Sequence, residues 1–210
     1  MRKLTAIALA FAAAVAIGGP RPVRASDAVT VIIPASTDGA PYGLSPVYAN
    51  ARAFYSGCND GAAIVGQARQ WQTYIVDRAG LLFKLDAIPA GAQIVYARLT
   101  VTVTADNSGT NFTGELERVD APSPVCANGA TWYGASGTAE GTLFDTAANP
   151  GTGERVLQVD HTALAGGGTV GYLVRSSRDI AAQAPTGQET VTLGTVESGQ
   201  AATLLVVYYP

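Results

Sequence analysis

Apolar and polar residues alternate along most of this chain in short runs separated by turn-forming residues. The clearest case is residues 80–103, GLLFKLDAIPAGAQIVYARLTVTV. Leu81, Phe83 and Leu85 share one face of a strand, and Leu82, Lys84 and Asp86 share the other. The segment Ile88-Pro89-Ala90-Gly91-Ala92 then turns the chain. Alternation resumes over residues 93–105, with Val95, Ala97, Leu99, Val101 and Val103 assigned to the core. Ile94, Tyr96, Arg98, Thr100, Thr102 and Thr104 point away from it. Similar runs predict strands at residues 28–33, 72–76, 114–119, 142–145, 155–159, 169–175, 190–196 and 203–208. Residues 47–55 read as a strand carrying aromatics, residues 34–45 as turn-rich, and residues 57–61 as a loop around Cys58. Helical spacing of apolar residues is rare, and Gly or Pro interrupts almost every window. One helical turn is expected at residues 161–165, capped by Asp160. About ten short strands without βα alternation predict an all-β, antiparallel β-sandwich.

The first 25 residues stand apart from this pattern. Met1-Arg2-Lys3 is a basic start, residues 4–19 are apolar and alanine-rich, and Val23-Arg24-Ala25 has the form of a cleavage site. This is the layout of a secretory signal peptide, and the apolar run is short for a membrane span of about 20 residues. A single domain over residues 26–210, secreted or held at the cell surface, is therefore expected.

Export changes the charge balance. Of 13 basic residues, Arg2, Lys3, Arg21 and Arg24 lie in the leader, which holds none of the 16 acids. Nine basic residues then face 16 acids, a net charge of −7. An acidic chain without a basic cluster is a poor partner for nucleic acid, where phosphate neutralisation supplies most of the affinity. It is equally poor for an anionic membrane. The two cysteines, Cys58 and Cys126, would meet an oxidising compartment, so one disulfide is the simplest reading and two free thiols the alternative.

Residues 80–103 also resemble the signature of DNRLRE-type domains. The matching pieces are Leu81-Leu82-Phe83, Asp86, Ile88 to Ala92, and Ala97-Arg98-Leu99-Thr100-Val101. Two further pieces are similar to that family. They are Val159-Asp160-His161-Thr162-Ala163-Leu164, and Thr195-Val196-Glu197-Ser198 followed by Leu204-Leu205-Val206-Val207-Tyr208-Tyr209. Lys84 and Leu85 depart from the usual wording, and Ala201-Ala202 stand where an Arg-Pro often opens the last strand. The resemblance implies a jelly-roll sandwich in exported proteins, used as a non-catalytic module, with some relatives binding polysaccharide.

Catalytic chemistry has little to stand on. His161 is the only histidine, and no nucleophile elbow accompanies it. Glu115 and Glu117 lie two apart on one strand, the arrangement of solvated carboxylates as well as of a glycosidase pair. No enzymatic activity is expected. A calcium ion is possible at Asp38-Gly39, Asn59-Asp60 or Asp106-Asn107, although none has the spacing of a known calcium loop. The aromatics are the stronger lead, because sugar rings stack on exposed aromatic faces. Trp71, Tyr74, Trp132 and Tyr133 fall in or near predicted loops, with Tyr42, Tyr48 and Tyr55 upstream. Arg175 and Arg178, in the segment Arg175-Ser176-Ser177-Arg178-Asp179, offer guanidinium forks to an acidic sugar, or ion pairs to Asp179. These six residues, Trp71, Tyr74, Trp132, Tyr133, Arg175 and Arg178, form the expected ligand site. The expected partner is a polysaccharide or cell-surface glycan. The alternative is a structural subunit of an extracellular filament, matrix or capsid-like assembly, self-associating through edge strands.

Overall fold

The structure, a computed structural model, describes residues 27–120 and 123–210. The expected leader, residues 1–25, lies outside them. Among the described residues thirteen strands form: β1 (Val29–Pro34), β2 (Thr37–Ser45), β3 (Gly57–Asn59), β4 (Ala63–Gln70), β5 (Thr73–Asp77), β6 (Ala79–Lys84), β7 (Gln93–Ser108), β8 (Thr113–Val119), β9 (Thr138–Asp145), β10 (Gly153–Gln158), β11 (Thr169–Ser176), β12 (Gln188–Leu193) and β13 (Thr203–Tyr209). Three short helices accompany them: α1 (Tyr48–Ala53), α2 (Gly129–Gly134) and α3 (Ser177–Ile180).

The expected all-β, antiparallel sandwich is present. One layer runs β1-β13-β7-β12-β4-β5-β2, with β10 on the other edge of β7, and the second runs β2-β6-β11-β8-β9. β2 belongs to both. Its residues 37–39 pair with β6 and its residues 42–45 with β5, so it carries the hydrogen bonding from one layer to the other. The core between the layers joins Leu81 and Phe83 of β6, Leu99 and Val101 of β7, Leu116 of β8, Tyr172 and Val174 of β11, and Leu204 and Val206 of β13. Lys84 is exposed, and Phe83 and Leu85 are buried, as the alternation predicts.

The alternation misleads at one end of β7. Tyr96 pairs with Val207 and Ile94 with Tyr208, so Val95 is skipped in a β-bulge. A bulge shifts the faces by one residue. Ile94, not Val95, then packs against the core. Leu82 also departs from expectation. It faces away from the main core but is buried, because Trp132 and Val125 cover the outer side of β6 and β11. The Cys58–Cys126 disulfide forms, and Cys58 packs against this second cluster.

Two stretches need correction. Residues 34–45 hold β2 and not a run of turns, and residues 47–55 hold α1 and not a strand. The cause is close packing at Gly43. A Cβ there would sit 1.9 Å from the Ala51 carbonyl oxygen of α1. The glycine lets the helix lie directly on the strand, where the sequence suggests a break. Strands β3 and β4 were likewise not expected. The helical turn at His161–Ala163 forms, with Asp160 accepting a hydrogen bond from the Thr162 amide.

Candidate functional site

Strands β4, β5 and β12 present two contrasting faces at one end of the sandwich. Their inner face is closed by charge. Asp179 of α3 is fully buried and accepts from Arg52 Nε at 2.9 Å and Arg78 Nε at 2.9 Å, with Arg175 Nε at 3.5 Å. Arg78 also donates to the Tyr133 carbonyl and, at 3.1 Å, to the Arg52 carbonyl, and its guanidinium stacks 4.2 Å from the Tyr133 ring centroid. One side chain thereby ties α1, α2 and α3 together. Glu189 of β12, equally buried, accepts from Arg178 Nε at 2.7 Å and Gln67 Nε2 at 2.9 Å. Burial pushes the Asp179 carboxyl up, but the Arg78 guanidinium and its neighbours outweigh that and hold it below the usual range.

This clamp disposes of several expected site residues. Arg175 and Arg178 are engaged with internal carboxylates, Arg175 also with Glu117 at 3.3 Å, which leaves no fork arranged for an acidic sugar. Trp132 is fully buried against Leu82 and Leu173, and its Nε1 donates to the Ser123 carbonyl at 3.0 Å. Tyr133 is buried beneath Arg78, with its hydroxyl donating to the Ala51 carbonyl. Neither ring can stack on a ligand. They lie in α2, which docks on the sheet, and not in the flexible loop that the surrounding glycines suggest. Aromatics of this size fill space wherever a helix meets a sheet. Tyr74 is half-buried on the α1 side, 5.5 Å from the Tyr48 ring and 5.5 Å from Arg69. Trp71 alone matches its expected placement, being 97% exposed. It stands in the turn between β4 and β5 with φ +57°, in the left-handed region.

The outer face of the same strands is open. A groove of about 360 Å³ crosses it, lined by residues of β2, β3, β4, β5, β7 and β12. Strand pairing arranges the lining in rows. Tyr42 lies opposite Asp77, Asp77 opposite Gly66, Gly66 opposite Thr190, and Thr190 opposite Asn107. This row crosses five strands, a span of about 19 Å at the usual strand spacing. A parallel row follows two residues away: Leu44, Ile75, Ala68 and Gln188. One row offers a phenol, a carboxyl, a hydroxyl and an amide, and the other offers mainly aliphatic surface. Between Asp77 and Thr190 the floor is bare. A Cβ on Gly66, whose φ is +132°, would meet the Glu189 carbonyl oxygen at 2.1 Å.

Asp77 is the chemical centre of this groove. It is 6% exposed, and among the described residues its carboxyl makes no hydrogen bond or ion pair. Desolvation pushes it up to about 7. No other lining residue carries an acidic or basic side chain, Tyr42 being the only other titratable one. Nothing in the sequence marks Asp77, because a carboxylate at the end of a strand is usually solvated. Only the pairing of β2, β4 and β5 around it shows otherwise.

The remaining candidates are engaged elsewhere. Glu115 accepts from Thr113 and Thr142, and Glu117 from the Gly137 amide. Asp106 accepts from the Ser108 and Gly151 amides, the bonding of a turn. Among the described residues, no group of three or more His, Cys, Asp or Glu is gathered for a metal ion. No helix among them is long and apolar enough to cross a membrane. No protein-family model matches this chain, and no curated protein matches it.

Proposed function

We propose that this protein is an exported, non-catalytic module of the DNRLRE type that binds a polysaccharide or cell-surface glycan in the outer-face groove. The observation that carries the reading is the paired rows. A sugar chain has an apolar face and a fringe of hydroxyls, and it needs both kinds of surface side by side. Ile75, Ala68 and Leu44 supply the first, and Asp77, Thr190 and Asn107 the second. Small-ligand sites are concave, partly apolar and furnished with a few polar groups. Trp71, exposed at the tip of the β4–β5 turn, adds an aromatic face beside Gln70 of the lining. The Cys58–Cys126 disulfide supports export, since such bonds persist in oxidising compartments. A glycan-array screen of the purified protein tests the reading, followed by titration of the best ligand into Ile75→Arg. The expected result is loss of binding with an unchanged melting temperature. Undiminished binding by Ile75→Arg would remove the groove from consideration.

A second reading has its own observation. Among the described residues β1 pairs only with β13, and Ile32 on it is 66% exposed. An open edge with apolar side chains suits strand addition between copies in an assembly. Concentration-dependent oligomers abolished by Ile32→Lys would favour it.

A further inference from the structure

We infer that the groove selects a sugar bearing a free, protonated amine, with Asp77 as its counter-ion. The inference rests on the glycan-binding reading above and names the ligand class for the same site. Asp77 is a buried carboxyl aimed into an open groove with no partner of its own among the described residues. Its contrast with Asp179 is chemical. Asp179 has three arginines around it, and Glu189 has one. A buried carboxylate is costly unless paired, so the missing cation is the group whose arrival would gain most.

The surroundings choose among cations. The residue between Asp77 and Thr190 in the row is Gly66, which puts no side chain between the carboxyl and the hydroxyl. Thr190, beyond Gly66, accepts from the Gln188 amide at 3.1 Å, and its hydroxyl can donate to a ring or hydroxyl oxygen. A ligand atom over Gly66 therefore meets an acceptor on one side and a donor on the other. An amino group flanked by hydroxyls on one sugar ring presents that combination. A carboxylate-bearing sugar would meet Asp77 as a like charge with no basic side chain in the lining to offset it. An N-acetylated sugar hides the amine behind an uncharged amide. The amine also keeps the Asp77 carboxyl ionised, because a cation in contact opposes the desolvation that otherwise raises it.

The test compares two probes of equal length on the purified protein near neutral pH: oligomers of glucosamine and of N-acetylglucosamine. The free-amine oligomer should bind about tenfold more tightly, the gain typical of one hydrogen bond to a charged group. Added salt should narrow that gap. Asp77→Asn should erase the preference by weakening the free-amine oligomer more than the acetylated one, and its melting curve reports that it is folded. Thr190→Val, which keeps the shape, should weaken both oligomers alike. The inference is overturned if the acetylated oligomer binds as well or better, or if Asp77→Asn retains the preference. It is also overturned if neither oligomer binds. In that last case a different glycan bound in the groove would leave the glycan reading standing, and a blank array would remove both.

Discussion

The two faces of β4, β5 and β12 solve the problem of a buried carboxyl in opposite ways. On the inner face Asp179 and Glu189 are surrounded by Arg52, Arg78, Arg175 and Arg178, and every charge has a partner. On the outer face Asp77 has none among the described residues. The inner set joins three helices to the sheet, so its satisfied charges serve structure. The outer carboxyl destabilises the fold when ionised, and a feature kept at such a cost is where function is to be sought. Charge density alone does not separate the two. The sequence draws the eye to the Arg175–Asp179 segment, whereas Asp77 is the carboxyl that lines the groove.

The largest effect expected from breaking this contrast lies on the inner face. Asp179→Ala leaves Arg78 buried without its counter-ion. Removing one partner of a buried pair costs about 3–5 kcal/mol, which denaturant unfolding would measure. A loss below about 1 kcal/mol would mean that the clamp is solvated.

Asp77 gives an effect of opposite sign. Its carboxyl sits near 7 in the folded protein and near 3.8 when unfolded. As pH rises from about 4, the unfolded chain ionises first, so stability falls, and the fall is complete once pH passes 7. The shift corresponds to a loss on the order of 4 kcal/mol. Asp38, raised to about 6 mainly by desolvation, adds in the same sense. Asp77→Asn should therefore be more stable than the parent above pH 7 and no more stable below pH 4. Asp179, held below its ordinary value, acts in reverse: its contribution is present above about pH 4 and lost as pH falls through its folded value. Equal pH dependence in parent and Asp77→Asn would show that Asp77 is paired or solvated.

The smallest effect concerns the rim. Trp71 holds a left-handed conformation that costs a residue with a side chain about 1 kcal/mol. Trp71→Gly should raise stability by about that amount while weakening glycan binding. A destabilised Trp71→Gly would mean that the ring packs on the protein.

The sequence was most informative where residues alternate without interruption. Residues 80–103 announce β6, the turn and β7 because one face must be buried and the other solvated. It was least informative where small residues serve contact. Gly43 in β2 reads as a break yet lets α1 approach, and Gly66 in β4, where a Cβ would meet the Glu189 carbonyl oxygen, gives no sign of the strand around it. The candidate site was mostly hidden for the same reason. Trp132 and Tyr133 look like loop aromatics because their glycine neighbours do not reveal that α2 docks on the sheet. Tyr42, Asp77, Gly66, Thr190 and Asn107 are far apart in the chain, and only strand order makes them a row.

The most direct test of the account is amide chemical-shift mapping of the labelled protein during titration with the glucosamine oligomer. The changes should concentrate at Gly66, Gln70, Ile75, Asp77 and Thr190 and leave Tyr133 and Asp179 unmoved. Saturable changes confined to the β1 edge, or centred on the clamp, would contradict it.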